Sequence, residues 1–403
     1  MQFEKIIGQK NIKKQLVQLV QENRLGHALL FLGNDGTGAL PLAIALAQYL
    51  VCEKTRAEQA PAAPSLFEAP EPASTIAVPL TDACGNCPAC HKASQLIHPD
   101  IHFSYPVITK KTGEKPIAAD FIQEWRSFVS TYTYGDVFDW LQFIKAENKQ
   151  GNITAEECND IIRKMNLKSF ESGYKILIMW MPEYLGKSGN KLLKLIEEPP
   201  PDTLFILVAK EEAQILPTIL SRTQLVRIPR LSNVEVEAAL ELRAGAPAEK
   251  ARQIAAICEG NYHQALQLLQ HAENDWQAVL REWLNSIARK NLQAQLKWVE
   301  DIAKSGRENQ KQFVQYFIHL MQQAIKLQLI DSDKSQPAAI ETETDFALRL
   351  NKLCSIYQQE AIIHELDKAT YFIERNANAK MLFHALTIKL HHIINNNSLI
   401  LTN

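Results

Sequence analysis

The sequence has no uninterrupted apolar run that approaches the ~18 to 20 residues needed for a membrane-spanning helix. It also lacks an excess of either charge. The formal net charge is −2, which excludes a chain that binds nucleic acid as a polycation. Residues 1–5 carry no apolar signal-peptide core. From these absences we expect a cytoplasmic protein without a membrane partner, which contacts nucleic acid only through local patches or surfaces shared with other subunits.

The composition is that of an ordinary globular chain. Hydrophobic residues make up 46% and charged residues 22% of the 403 residues, enough apolar material for a core in each of two to three domains. No repeat of solenoid length occurs. The alanine- and proline-rich stretch at 57–80 can bury little surface, so we expect a mobile surface insertion there.

Apolar stretches alternate with helical patterns as far as Pro229, which predicts a parallel sheet flanked by helices. Beyond Pro229 the strand signals stop, and apolar residues recur at helical spacing around a polar loop expected at 331–344. The five predicted strands are 28–32, 101–105, 174–181, 204–209 and 225–228. The predicted helices before Pro229 are 4–23, 39–51, 121–131, 137–144 and one opened by a capping box at Thr154 and Glu157.

A glycine-rich turn follows the first strand and precedes a helix, which is the layout of a phosphate-binding loop. Gly33 and Gly38 occupy its two glycine positions, but Ala39 stands where the loop needs lysine and Leu40 where it needs the Mg²⁺-binding hydroxyl. Backbone N–H groups alone could still bind an anion. The strand 174–181 should end in the acidic residues that coordinate Mg²⁺ and activate water. Glu183 is the only carboxylate near its end, and we expect it to be a solvated loop residue. We therefore expect neither tight nucleotide binding nor hydrolysis; the alternative is a plain turn-rich loop.

Three of the seven cysteines are spaced Cys84-x2-Cys87-x2-Cys90, which in a reducing compartment is typical of metal binding. His91 or His98 could complete a three-cysteine site, or the thiols could be free. Three of the other four cysteines lie in helical patterns and are expected to be small buried apolar residues: Cys158, Cys258 and Cys354.

Five segments carry a resemblance to a known family. The segment 190–200, Asn-Lys-Leu-Leu-Lys-Leu-Ile-Glu-Glu-Pro-Pro, strongly resembles the signature of bacterial clamp-loader AAA+ subunits. The triplet 221–223, Ser-Arg-Thr, is similar to the family's Ser-Arg-Cys motif. Segments 6–9, 24–31 and 374–378 also look like the family, and the motifs cover most of the chain in the family's order.

The resemblance implies an α/β AAA+ P-loop domain at 1–230, built on a five-stranded parallel sheet with flanking helices and an inserted zinc module at about 52–90. A small helical lid domain at 231–272 and a C-terminal helical collar domain for oligomerisation at 273–403 would follow.

Some subunits of this family hydrolyse ATP, whereas those of the delta prime type have a decayed phosphate loop. Ala39 and Leu40 put the chain in the second group. His263 stands where hydrolysing subunits carry the sensor 2 arginine, and Lys210 or Ala209 where sensor 1 carries a hydroxyl. The resemblance therefore implies a non-hydrolysing subunit with no productive ATP binding.

What survives of the family's catalytic parts is Arg222. In the family this arginine projects into the nucleotide site of the neighbouring subunit, where a guanidinium forks onto phosphate oxygens and stabilises charge on the γ-phosphoryl group. Ser221 is expected to help position the turn, and Thr223 replaces the usual cysteine. The alternative is an ordinary exposed arginine at the end of a short helix.

The family also has a four-cysteine zinc module whose first cysteine ends the P-loop helix. Cys52 matches that position, so the resemblance implies a structural Zn²⁺ held by Cys52, Cys84, Cys87 and Cys90.

The implied partners are the gamma/tau ATPase subunits and the delta subunit, with the sliding clamp and primer-template DNA contacted through the complex at replication forks. The chain would thus be a component of the DNA polymerase III holoenzyme. Two alternatives remain. An active gamma/tau-like ATPase requires lysine at 39 and an acidic pair at 179–181, which are absent. A zinc-dependent nucleic-acid-binding protein requires basic or aromatic residues around 84–90, where Lys92 stands alone.

Overall fold

The fold is described from a computed structural model. The structure describes residues 1–59, 81–109, 115–146, 151–270, 276–329, 341–375 and 377–396. The insertion expected at 57–80 lies outside these ranges except for its first three residues, which end a helix. The chain forms two compact units, Met1–Leu266 and Gln267–Asn403. The three-domain division with a lid at 231–272 and a collar at 273–403 stays a prediction.

Five parallel strands form the sheet of the first unit, as predicted. Their order is β2-β3-β4-β1-β5, so β1 lies between β4 and β5. Every residue of β3 and β4 is buried because helices cover both faces, as parallel sheets require. The strands are β1 (Ala28–Leu32), β2 (Ile101–Ser104), β3 (Lys175–Trp180), β4 (Thr203–Ala209) and β5 (Gln224–Arg227), each within two residues of its predicted bounds.

The helices of the first unit lie on both faces of this sheet. Successive residues of β1 point to opposite faces, so Leu29 and Phe31 join one core cluster and Leu30 the other. The helices are α1 (Lys10–Gln21), α2 (Ala39–Val51), α3 (Glu53–Gln59), α4 (Pro88–Ser94), α5 (Ile122–Thr131), α6 (Val137–Phe143), α7 (Ala155–Met165), α8 (Leu193–Glu197), α9 (Pro217–Leu220), α10 (Asn233–Ala244), α11 (Ala248–Ile257) and α12 (Tyr262–Gln270), which continues into the second unit.

The second unit is helical, as predicted. Its core is centred on Trp283 and Trp298, whose rings stack with centroids 4.3 Å apart. Of the polar loop expected at 331–344, residues 331–340 lie outside the described ranges. Residues 341–344 begin a helix instead. The helices are α13 (Trp276–Ala288), α14 (Leu292–Lys304), α15 (Arg307–Leu329), α16 (Glu341–Leu353), α17 (Ile356–Glu374) and α18 (Ala379–Asn396). Within the described ranges, none of these helices combines the length and apolarity required to cross a bilayer.

The prediction of a single helix at 4–23 is wrong. Residues Phe3–Lys5 form one 3-10 turn, and α1 begins only at Lys10. Between them Gly8 and Gln9 have φ of 57° and 56°, and two successive left-handed residues cannot continue a right-handed helix. Gly8 is required there because a Cβ on it would lie 2.5 Å from Glu235 Oε1.

The capping box predicted at Thr154 forms only in part. The N–H of Glu157 donates to Thr154 Oγ1 at 3.0 Å, as expected. The Glu157 carboxylate does not return to the cap but accepts from the N–H of Ala118 at 2.7 Å in the core. Burial raises the pKa of Glu157. This carboxylate therefore ties α7 to the 3-10 turn at Ala118–Phe121.

Helices α5 and α6 attach to the sheet through an aromatic cluster. Tyr105 stacks on Trp125 with centroids 4.0 Å apart, and Trp140 meets Trp125 edge-on at 5.4 Å. The Trp140 indole N–H donates to the carbonyl of Pro106 at 2.7 Å. Trp125 also contacts Trp180 at the end of β3, with centroids 5.3 Å apart. This packing fixes where the turn between α5 and α6 lies.

Substituting Asp100 by asparagine is expected to destabilise the first unit by about 1–3 kcal/mol, because Asp100 accepts three backbone N–H bonds of residues 170–172. Burial acts to raise the pKa of Asp100, but these N–H groups outweigh it and lower the pKa. The difference should therefore be present above about pH 4 and be lost as the pH falls through the lowered pKa. Urea unfolding at several pH values measures it. Asp202→Asn, at an exposed position, is the control and should change little.

Candidate functional site

The phosphate loop lies between the carboxyl end of β1 and the start of α2, as predicted. Gly36 and Gly38 have φ of 69° and 90°, so the turn uses conformations that other residues rarely adopt. Gly38 is the residue immediately before α2, without a side-chain cap. Ala39 and Leu40 are buried, with 8% and 6% of their surface exposed. The first turn of α2 thus presents neither a cation nor a hydroxyl.

The space above the loop is nearly filled. The cavity bounded by the loop, Tyr134 and Trp180 has a volume of about 40 Å³, room for a few water molecules. Tyr134 lies in the turn between α5 and α6, and a Cβ on Gly38 would be 3.0 Å from its ring. The Tyr134 hydroxyl accepts from the N–H of Ile7 at 2.8 Å. A triphosphate cannot enter without moving this turn.

Two ionisable side chains close the loop from the β4 side. Lys210, directly after β4, pairs with Asp35 of the loop at 2.6 Å. Glu183 is not the solvated residue that the sequence predicts. Its Oε1 accepts from the N–H groups of Lys210 and Glu211 at 2.6 and 2.9 Å, and burial raises its pKa. Glu183 therefore shapes the chain after β4.

The beginning of α12 also contacts the loop. The N–H of Tyr262 donates to the carbonyl of Gly36 at 3.3 Å. His263, in the predicted sensor 2 position, points its Nε2 at Asp139 Oδ2 of α6, 3.0 Å away. Asp139 and Asp136 already bond each other's backbone N–H across the first turn of α6. His263 therefore links α12 to α6.

A wider groove of about 870 Å³ lies beside the loop, at the carboxyl ends of β1 and β5. Most of the basic side chains that line this groove form ion pairs with carboxylates. Arg230 pairs with Glu259 at 2.6 Å, and Arg227 lies 3.6 Å from Glu212. Lys210 is held by Asp35, which leaves Lys10 as the cation of this lining without an ion pair among the described residues.

Arg222 lies at the surface, directly after α9. Its Nη1 donates to the carbonyl of Thr218 at 2.8 Å and to Ser221 Oγ at 3.2 Å. Its Nη2 lies 3.2 Å from Oε2 of Glu197, the last residue of α8. Ser221 Oγ in turn donates to the carbonyl of Thr218 at 3.2 Å. Ser221 therefore helps to orient the guanidinium, whose side chain is 30% exposed.

The four predicted zinc ligands come together, although 31 residues separate the first two along the chain. The thiol sulfurs of Cys52, Cys84, Cys87 and Cys90 all lie within 4.8 Å of one another. Cys84 Sγ and Cys90 Sγ are 3.9 Å apart. Four thiolates at ~2.3 Å around a tetrahedral Zn²⁺ would be about 3.8 Å apart. The cluster therefore fits a closed zinc site without His91 or His98.

Backbone N–H groups surround these sulfurs. The N–H of Cys84 points at Cys52 Sγ and that of Cys90 at Cys87 Sγ, both at 3.4 Å. Burial acts to raise the pKa of Cys52, but hydrogen bonds from Cys84 and Thr55 lower it to about 6. Burial raises the pKa of Cys90. Hydrogen bonds from N–H groups to the sulfurs stabilise and orient thiolates that bind a metal.

The other cysteines are buried in helical surroundings, as predicted. Burial raises the pKa of each to about 11, so none is a reactive thiolate: Cys158, Cys258 and Cys354.

Sequence reasoning missed three residues that shape these sites. Tyr134 and Asp35 close the loop, and no sequence signal marks Tyr134 because its contact with Gly38 is made across 96 positions. Glu197, which holds Arg222, stands inside the 190–200 motif, and that motif was the signal that could have pointed to it.

Comparison with known proteins agrees with this architecture. A family model for "DNA polymerase III, delta subunit" matches residues 8–66 and 76–232. The delta prime subunit of DNA polymerase III from Bacillus subtilis is 24% identical over 229 residues, covering 57% of this chain and 50% of that protein. The delta prime subunit from Yersinia pestis is 24% identical over 353 residues, covering 78% and 84%.

A solved DNA polymerase III gamma subunit-related protein from Thermotoga maritima covers 95% of this chain and 99% of its own, at 14% identity and a TM-score of 0.40. The matched region thus spans half of the Bacillus relative and most of the Yersinia one. Because the family model matches more than half of the 403 residues, the chain belongs to the DNA polymerase III delta subunit family, in which its relatives are named delta prime.

Proposed function

We propose that this protein is a non-hydrolysing subunit of the DNA polymerase III clamp loader. It assembles with gamma/tau ATPase subunits and a delta subunit, and the complex loads the sliding clamp onto primer-template DNA during replication. The names of its relatives support this assignment. The helical segments at 231–272 and 273–403 serve as lid and collar, the collar holding the subunits together.

The observation that carries the non-hydrolysing role is the closed loop. Ala39 replaces the phosphate-binding lysine, and the cavity between the loop and Tyr134 measures only about 40 Å³. The nearest cation, Lys210, is bound to Asp35 at 2.6 Å. A loop without the lysine and the Mg²⁺-binding hydroxyl cannot stabilise a transferring phosphoryl group.

The chain's contribution to catalysis is Arg222, supplied to a neighbouring subunit. Its guanidinium keeps its charge at every physiological pH and presents a planar fork suited to phosphate oxygens. Arg222 is partly exposed within this chain, and Thr218 and Ser221 orient it. Among the described residues, Arg222 bonds Thr218, Ser221 and Glu197 and no residue of the chain's own phosphate loop. This favours a role in trans.

The cysteine cluster holds one structural Zn²⁺. When bound, the metal supplies no open coordination position, since four thiolates close its tetrahedron. Cys52 ends α2 and the other three ligands lie around α4, so the site joins these two helices. This supports a structural rather than a DNA-reading role.

The isolated chain is expected to bind no ATP and to release no phosphate above background, because Ala39 and Leu40 replace the lysine and the hydroxyl that would hold the phosphates and Mg²⁺. Titration with a fluorescent ATP analogue and a phosphate-release assay measure this. The double variant Ala39→Lys, Leu40→Thr should also fail to bind, because Tyr134 still occupies the space over Gly38. A hydrolysing partner subunit is the positive control. Turnover by the isolated wild-type chain would overturn the proposed function.

A further inference from the structure

Arg222 is restrained by a carboxylate of its own chain. Glu197 ends α8, Arg222 follows α9, and Nη2 lies 3.2 Å from Glu197 Oε2. The two side chains are 30% and 56% exposed, so the pair lies at the surface, open to an incoming group. Exposed ion pairs of this kind are weak and can be exchanged.

The guanidinium has five N–H groups, and most of them are occupied. Nη1 directs its two at the Thr218 carbonyl and Ser221 Oγ. Nη2 donates one N–H to Glu197. Nε is buried and has no partner among the described residues, so it cannot reach a molecule outside. Apart from the buried Nε, one N–H, on Nη2, is left.

A fork onto a phosphate requires two N–H groups directed at it. While Glu197 is bound, Arg222 can offer only one. We propose that Glu197 is a positioning residue that holds Arg222 in a parked state, from which the triphosphate bound in the neighbouring subunit displaces it. This inference rests on the proposed function, because it concerns the same arginine. The doubly charged γ-phosphate outcompetes the singly charged carboxylate, so the exchange favours the triphosphate.

The test uses the complete reconstituted complex and the variant Glu197→Gln, which keeps the shape of the side chain and removes its charge. We expect ATP turnover without clamp and DNA to rise about two- to five-fold, the range that one exposed ion pair contributes. Glu198→Gln, an exposed neighbouring carboxylate without a hydrogen bond or ion pair to Arg222 in the structure, should leave turnover unchanged. Circular dichroism melts check that both variants are folded.

Two further measurements separate a parked arginine from a structural effect. Added salt screens the pair, so the ratio of Glu197→Gln to wild-type turnover should approach one as ionic strength rises. In an Arg222→Ala background, Glu197→Gln should have no effect. An unchanged or lowered rate for Glu197→Gln beside a wild-type chain overturns the parked state. If Arg222→Ala itself leaves turnover unchanged, the trans role fails and the parked state with it.

Discussion

Replacing Arg222 by alanine is expected to lower ATP turnover at the neighbouring subunit's site by on the order of 10³-fold, the lower end of what a trans-acting arginine contributes. The side chain is partly exposed, and it contacts three residues that are themselves exposed, Thr218, Ser221 and Glu197. The variant should therefore fold and assemble normally. Turnover of the reconstituted complex, with clamp and primer-template DNA, measures the effect.

The matched control is Arg227→Ala. Arg227 is also an exposed arginine of the first unit with an acidic neighbour, Glu212, but it ends β5 instead of following α9. Its loss should leave turnover close to wild type. Size-exclusion chromatography verifies that both variants enter the complex. Wild-type turnover by an assembled Arg222→Ala complex would contradict the trans role while leaving the family assignment untouched.

Replacing Cys90 by serine is expected to remove the bound zinc and to lower the melting temperature by about 10 °C or more, since losing a metal site costs several kcal/mol in a unit of this size. Cys90 is a fully buried residue of α4, and its sulfur lies 3.9 Å from that of Cys84. Elemental analysis should find one zinc per wild-type chain and less than one in the variant.

Cys354→Ser is the control for the loss of a buried thiol, because Cys354 lies in the second unit, away from the cluster. It should keep its zinc. A chelator should lower the melting temperature of the wild-type chain and of this control, but not that of Cys90→Ser. If the purified wild-type chain contains no zinc and melts identically with chelator, the metal site is refuted.

Much of the fold follows from local sequence. Strands β3 and β4 could be predicted because both of their faces are covered, which makes the runs after their first residues, Lys175 and Thr203, continuously apolar. The decayed loop could be predicted as well, since Ala39 and Leu40 stand at positions whose chemistry a spacing defines. In each case the information lies within a few neighbouring residues.

What could not be predicted depends on contacts between distant segments. Gly8 adopts its left-handed conformation where α10 brings Glu235 against it, 227 positions later. The Glu157 carboxylate accepts from the N–H of Ala118 instead of from the cap of its own helix, which no capping rule anticipates. Tyr134 fills the loop cavity because the Trp125 cluster fixes the turn that carries it. Such long-range choices are invisible to a reading of neighbouring residues.

The burial of Ala39 and Leu40 makes the loss of nucleotide chemistry difficult to reverse during evolution. With 8% and 6% of their surfaces exposed, both side chains now belong to the core. A lineage that regained lysine at 39 first would carry an unpaired ammonium in a nearly closed space, which is strongly destabilising. A lineage that moved Tyr134 first would open a void with nothing to fill it. Each first step would destabilise the fold before the second could compensate, so the two changes would have to occur together.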